Sequence, residues 1–224
     1  KEEMLYSNFE QSKHLFHLVF TFGCRQFIYA SSCAVYGNLP SPYTEDLTPA
    51  PLNAYGESKA AFDEWILDRN NKTNCNVVGL RYSNVYGIGE SHKGRRASMI
   101  YQMIEKMKKG ESPKLFKDGE QKRDWIYIKD VVKANLQALG FKGVGIFNCG
   151  SGKSTSFNDL VKIINNKLNA NIQPEWIDCP FPEKYQSNTK TNMNKAAREL
   201  NFAPSYDCDA GIEDMITEMK KAGI

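Results

Sequence analysis

Tyr55 and Lys59 stand four residues apart, and Ser32 closes an apolar run upstream of them. Four residues is one helical turn, so the phenol and the ammonium lie on one face of any helix formed here. A phenol is a poor base at neutral pH. A cation about 4 Å away favours its ionised form by a few kcal/mol at an effective dielectric of about 20. A serine hydroxyl beside them can share a hydrogen bond with a substrate hydroxyl as that hydroxyl loses its proton. The chemistry is proton removal from a carbinol and its return. The spacing alone also fits an exposed helix pair, so the elements around it decide.

Phe27-Ile28-Tyr29-Ala30 reads as a buried strand. Ser32 then lies at its carboxyl end, where open α/β sheets bind ligands. Asn53 is placed to cap a helix from Ala54 to about Arg69, with Phe62, Trp65 and Ile66 toward the core. Upstream, Lys1 to Phe22 reads as a helix with Leu5, Phe9, Phe16, Val19 and Phe20 near one face, ended by Gly23. Residues 38–53 form a loop broken by Pro40, Pro42, Pro49 and Pro51, and its Glu45-Asp46 pair receives no role. Asn76–Tyr82 is the next strand and runs into the loop Ser83–Gly87. Further helices are expected over 98–109, 131–139, 157–168, near 193–200 and over 210–221, with strands at 145–149 and 172–177 and a loop over 179–186. Asp130 is expected to cap the helix that follows it, and Asp124 to be structural.

Composition excludes several classes. The chain has 224 residues, 41% hydrophobic and 25% charged, as globular proteins do. A net charge of +3 argues for no nucleic-acid partner. The lysines between Lys106 and Lys122 read as a solvated face, or as an attraction for an anionic substrate. The six cysteines show no C-x-x-C spacing and read as reduced, buried thiols of a cytosolic protein. The three histidines have no companions at metal-ligand spacing, so no metal is expected. No run approaches the ~20 apolar residues of a membrane span, and no signal peptide is visible.

The run from Ile28 to Gly37, Ile-Tyr-Ala-Ser-Ser-Cys-Ala-Val-Tyr-Gly, together with Pro-Leu-Asn-Ala-Tyr-Gly-Glu-Ser-Lys ending at Lys59, resembles the extended short-chain dehydrogenase/reductase family of NAD-dependent nucleotide-sugar epimerases and dehydratases. The resemblance implies that Ser32, Tyr55 and Lys59 are a catalytic triad. It implies an α/β fold: an NAD(P)-binding, Rossmann-like, doubly wound parallel sheet, here its C-terminal portion, with a smaller α/β substrate domain. Residues 1–87 and 124–150 fall to the first, 88–123 and 151–224 to the second. Arg-Tyr-Ser-Asn-Val-Tyr-Gly, ending at Gly87, resembles the family element beside the nicotinamide. It implies Asn84 on substrate, and Val85 on the cofactor with Asn8, Tyr55 and Lys59. Lys-Arg-Asp-Trp-Ile-Tyr-Ile-Lys-Asp, ending at Asp130, matches a family signature and implies Arg123 on a nucleotide diphosphate, for which a guanidinium fork is suited. Arg95, Gln102 and Tyr185 are implied on the substrate side as well.

Gly89-Glu-Ser-His-Lys-Gly94 and Pro113-Lys-Leu-Phe116 resemble the branch of the family that epimerises a nucleoside-diphosphate heptose at C6, a precursor of lipopolysaccharide core. That branch implies Lys93 as a second acid/base. The hydroxyls of two epimers point in different directions, and one fixed tyrosine need not reach both. Ile88 and Gly89 stand where the branch has proline and arginine, and Arg95-Arg96 make the loop more basic. The implied cofactor is NADP, with NAD as the alternative, in a cytoplasmic homo-oligomer. Two other readings stay open: another NAD-dependent 4-epimerase or dehydratase, although Cys33 rather than glutamate beside Ser32 speaks against a dehydratase, and a non-catalytic remnant that binds or assembles. No Gly-x-Gly-x-x-Gly opens the chain. At ~30 residues per strand-helix repeat, roughly ninety residues of such a fold are expected ahead of it, making this a portion of a longer enzyme.

Overall fold

The computed structural model describes residues 1–69, 75–180 and 185–223. Along the chain these form helix α1 (Glu2–Leu5), a π turn (Tyr6–Glu10) leading into α2 (Gln11–Thr21), β1 (Gln26–Ser32), α3 (Ala54–Leu67), β2 (Asn76–Tyr82), β3 (Asn84–Tyr86), α4 (Met99–Lys108), β4 (Lys114–Phe116), β5 (Lys122–Tyr127), α5 (Ile128–Ala138), β6 (Val144–Cys149), β7 (Ser154–Ser156), α6 (Phe157–Leu168), β8 (Glu175–Ile177), α7 (Asn194–Leu200) and α8 (Cys208–Lys221).

β1, β2 and β6 pair in parallel, in that order, with Ser32 opposite Tyr82 and Tyr82 opposite Cys149. Their carboxyl ends are therefore level. β2 is apolar on both faces, as a strand covered on both sides must be. Val77 packs with Phe16 of α2 and Phe62 and Ile66 of α3. Val78 and Leu80 turn the other way, toward Val131, Ala134 and Ala138 of α5 and Ala196 and Leu200 of α7. Helices on both faces make the sheet doubly wound, as expected. α7 comes from the stretch assigned to the smaller unit, yet its apolar residues pack on this sheet.

A second core gathers α4, α6 and α8 around Trp125 and Tyr127. α4 turns Ile100, Met103, Ile104 and Met107 inward at helical spacing and is capped by Ser98, whose Oγ accepts from Tyr101 N at 3.2 Å. Beside it lie the sheets β3-β5-β7 and β4-β8.

Local expectations failed where a distant group took the backbone. Asp130 does not cap α5, which begins at Ile128 without a side-chain cap. Its carboxylate accepts instead from Ser205 N at 2.8 Å and Tyr206 N at 2.9 Å. The strand expected over 172–177 is only Glu175–Ile177, because Asn165 bonds both the N–H and the carbonyl of Ile172. Phe20 is exposed rather than turned inward, and Cys24 is an exposed thiol rather than a buried one. Of the expected loop 179–186, residues 181–184 lie outside the described residues. Among the described residues no helix is long and apolar enough to cross a membrane, and no group of three or more His, Cys, Asp or Glu could hold a metal ion.

Candidate active site

Ser32 leaves β1 in an extended conformation, and its Oγ accepts from Ala34 N at 3.1 Å, capping a 3-10 turn over Cys33–Tyr36. α3 meets this turn at close quarters. A Cβ on Gly56 would stand 2.7 Å from the Ala34 carbonyl oxygen, so glycine beside Tyr55 is what lets the helix start against the serine turn. Asn53 caps that start as expected, its Oδ1 accepting from Gly56 N at 2.9 Å.

Tyr55 is 40% exposed. The Lys59 Nζ lies 5.9 Å from its ring centre and donates to the Ala30 carbonyl at 2.8 Å, which ties the ammonium to β1. Burial pushes Lys59 below the usual lysine range, opposed by the charge of Asp63 one turn on. Asn8, in the π turn, donates to Ser58 Oγ at 3.2 Å and so stands against the same helix. π turns recur at functional sites.

Across the strand ends, Ser32, Tyr82, Asn84, Asp124 and Thr191 line a small cavity of about 120 Å³. Asn84 donates to the Asp124 carbonyl at 3.0 Å. Val85 packs against the α5 side of the sheet. The Asp124 carboxylate accepts from Ser151 N, Gly152 N and Thr191 N at 2.7, 3.2 and 3.0 Å, tying two backbone segments to β5. Burial pushes the Cys33 thiol up, so it stays protonated, its Sγ 3.2 Å from the Arg81 carbonyl.

A larger cavity of about 480 Å³ opens between α4 and β4, with Gln102, Met103, Lys106, Phe116 and Tyr185 on its walls. Arg123, 8% exposed, sits beside Tyr185 with its guanidinium carbon 4.7 Å from the ring centre. One of its nitrogens donates to the Lys122 carbonyl at 2.8 Å, and no carboxylate pairs with it among the described residues. Burial pushes Arg123 down, and Tyr185 and Tyr43 pull the other way. A buried guanidinium with unused donors is suited to an anion.

The remaining expected residues are scattered. Gln102 donates to the Ala97 carbonyl at 2.7 Å. Arg95 is exposed. Lys93 is half exposed, lines neither cavity, and pairs with Glu90 at 3.5 Å.

Sequence reasoning missed the network beneath the serine turn. Asp63, 1% exposed, accepts from Tyr29 Oη at 2.8 Å, Ser31 Oγ at 2.9 Å and Arg81 Nε at 2.8 Å. Arg81 then donates to Tyr36 Oη at 2.9 Å, and Tyr36 donates to Asn148 Oδ1 at 2.6 Å. Ser32 thus sits between two anchored neighbours, Ser31 and Tyr36. The signal was present: Asp63 follows Lys59 by four residues and shares its helix face.

Glu45 ends this chain of bonds, its Oε1 accepting from Asn148 N at 2.7 Å. Burial raises its carboxyl above the usual range, against the pull of that amide and of Lys195 and Arg81. The sign follows from linkage. With the folded value above the unfolded one, the folded state binds more protons between the two, so stability falls as pH rises through that window. Glu45→Gln keeps the acceptor and removes the charge. It should raise the melting temperature at pH 7, with the gain vanishing as pH falls below the unfolded glutamate range. Equal melting temperatures at pH 7 would remove burial as the controlling cause.

Residues 1–150 match the NAD dependent epimerase/dehydratase family, and the chain belongs to that family. ADP-L-glycero-D-manno-heptose-6-epimerase of Brachyspira hyodysenteriae is 36% identical over 227 residues, covering 98% of this chain and 71% of that protein. The crystal structure of the Helicobacter pylori ADP-L-glycero-D-manno-heptose-6-epimerase superposes with a TM-score of 0.88 at 33% identity, over 95% of this chain and 65% of that one. The UDP-glucose 4-epimerase of Thermotoga maritima, solved with UDP-glucose, gives a TM-score of 0.90 at 26% identity, over 98% and 71%. The chain thus spans about two thirds of the length of these relatives.

Proposed function

We propose that this chain is the catalytic and substrate-binding portion of an ADP-heptose 6-epimerase. Such an enzyme interconverts ADP-D-glycero-D-manno-heptose and ADP-L-glycero-D-manno-heptose, and would supply a lipopolysaccharide-core precursor from the cytoplasm as a homo-oligomer. The observation that carries the reading is the Tyr55–Lys59 pair, seated against the Ser32 turn at the carboxyl end of β1. The likeness to the two heptose epimerases selects the substrate.

Residues present fit the nicotinamide end of a dinucleotide. Lys59 uses one N–H on the Ala30 carbonyl and keeps two for ribose hydroxyls. Asn8 braces the helix at Ser58, and Val85 sits in β3 on the α5 side of the sheet. When bound, the nicotinamide accepts and returns hydride at C6. NADP is the proposed form, from the likeness of the Gly89–Gly94 loop to the heptose branch.

In this reading Ser32 holds the reacting oxygen by a hydrogen bond. Tyr55 takes the hydroxyl proton of one epimer and returns it when that epimer is re-formed. Lys59 stabilises the negative charge on the Tyr55 oxygen while gripping the ribose. Lys93 serves the epimer whose hydroxyl Tyr55 does not reach. Asn84 contacts the sugar from the small cavity, and Arg123 with Tyr185 takes the diphosphate at the mouth of the larger one, where Gln102 and Arg95 complete the substrate side. We also assign residues 1–87 and 124–150 to the cofactor-binding unit, and 88–123 and 151–224 to the substrate unit, with α7 returning to the sheet.

The test is incubation of the full-length protein with ADP-D-glycero-D-manno-heptose. Appearance of the C6 epimer, with NADP(H) released on denaturation, supports the reading. A 4-epimerised hexose product, or no turnover with bound NAD, would replace it with a different member of the family. Arg123→Lys keeps the charge and loses the fork. It should raise KM for the nucleotide sugar roughly 10- to 100-fold, with kcat changed less than about threefold. An unchanged KM would take the diphosphate away from Arg123.

A further inference from the structure

The loop between β3 and α4 is built around one buried carboxylate. Glu90 is 5% exposed. Its Oε1 accepts from Gly87 N at 3.1 Å and Ser98 Oγ at 2.8 Å, and its Oε2 from Ser98 N at 2.7 Å and Lys93 Nζ at 3.5 Å. Gly87 follows β3, the strand that carries Asn84 and Val85. Ser98 caps α4, the helix that carries Gln102 into the larger cavity. One carboxylate therefore joins the two elements that face substrate.

A buried carboxylate needs donors, and three neutral ones already satisfy Glu90. The Lys93 contact is additional to them. It is longer, and it comes from a side chain 45% exposed on a turn where Gly94 takes φ +53°. Lysine carries four rotatable side-chain bonds and would otherwise sample many rotamers over an exposed loop. The pair sets the ammonium beside the carboxylate that joins Gly87 to Ser98 and leaves its remaining N–H groups open to solvent or substrate.

We propose that Glu90 is the positioning residue for Lys93, holding its ammonium in register with the strand and helix that bind the sugar nucleotide. This rests on the reading of Lys93 as the second acid/base. Glu90 touches no substrate in this assignment. It acts through Lys93.

The experiment is a double-mutant cycle in the full-length enzyme, with kcat and KM for the ADP-heptose followed in both directions and thermal melting recorded alongside. The variants are Glu90→Gln, Lys93→Met and the pair. Glutamine keeps the size and one acceptor oxygen. Glu90→Gln should lower kcat about 10- to 100-fold in at least one direction, the range a small misplacement of a reacting group produces, with KM changed less than about threefold. In the Lys93→Met background the same change should cost less than about twofold. A full Glu90 effect in that background would make it a structural staple of the loop and overturn the proposal. So would an unchanged kcat for Glu90→Gln. Full activity in Lys93→Met sinks the parent reading of Lys93 instead, and is distinguishable because it appears in the single variant. If Glu90→Gln does not fold, Glu90→Asp, which keeps the charge and shortens the reach, is read in the same cycle against the same outcomes.

Discussion

Tyr55→Phe should lower kcat for epimerisation by about 10²- to 10⁴-fold and leave KM within about threefold. Phenylalanine keeps the ring that lies 5.9 Å from the Lys59 ammonium and removes only the oxygen that would carry the proton. Lys59 stays in place, because its anchor is the Ala30 carbonyl and not the phenol. Nucleotide binding is untouched, since the diphosphate is assigned to Arg123 across the strand ends. Melting temperature should hold as well, as Tyr55 is 40% exposed and contributes little to the core. The measurement is steady-state turnover in both directions. A loss below tenfold would move the main proton transfer to Lys93. A raised KM with unchanged kcat would make Tyr55 a binding group and leave the catalytic assignment without its centre.

The largest stability effect belongs to the ion pair under the serine turn. Arg81 and Asp63 are 3% and 1% exposed, with Nε and Oδ2 2.8 Å apart. Removing one partner leaves the other charge buried without compensation, a loss of about 3–5 kcal/mol. Arg81→Met is the cleaner variant, since it keeps a long side chain and strips the charge with its donors. Tyr36 Oη and Asp63 then lose a partner together. The double variant Arg81→Met, Asp63→Leu should be less destabilised than the sum of the singles, because neither charge is left stranded. Salt should change the loss little, as buried pairs are weakly screened. Denaturant melts with a constant slope would report it. A single variant within about 1 kcal/mol of wild type would mean that the buried charge finds another partner or water.

Tyr55, Lys59 and Ser32 could be read along the chain, because helical spacing, an Asn53 cap and an apolar strand are local codes. Each is written within a few residues of the side chain it places. The β2 run was legible for the same reason: a strand covered on both faces must be apolar at successive positions. The family resemblance rested on those stretches, and the match over residues 1–150 bears it out.

What failed along the chain failed for one physical reason. A side chain that can bond a nearby backbone group will bond a distant one if the fold delivers it. Asp130 left its helix end for the amides of Ser205 and Tyr206, and Asn165 took both polar groups of Ile172 from a strand. The fold likewise decided the buried polar network. Asp63, Arg81, Tyr36, Asn148 and Glu45 come from five separate stretches, and only the stacking of α3 on β1 and the parallel register of β1, β2 and β6 bring them within bonding distance. By itself the sequence determined the strand and helix on which the proposed proton-transfer groups ride. The tertiary structure alone decided what holds those groups still, because burial and hydrogen-bond partners are set by segments far apart in the chain.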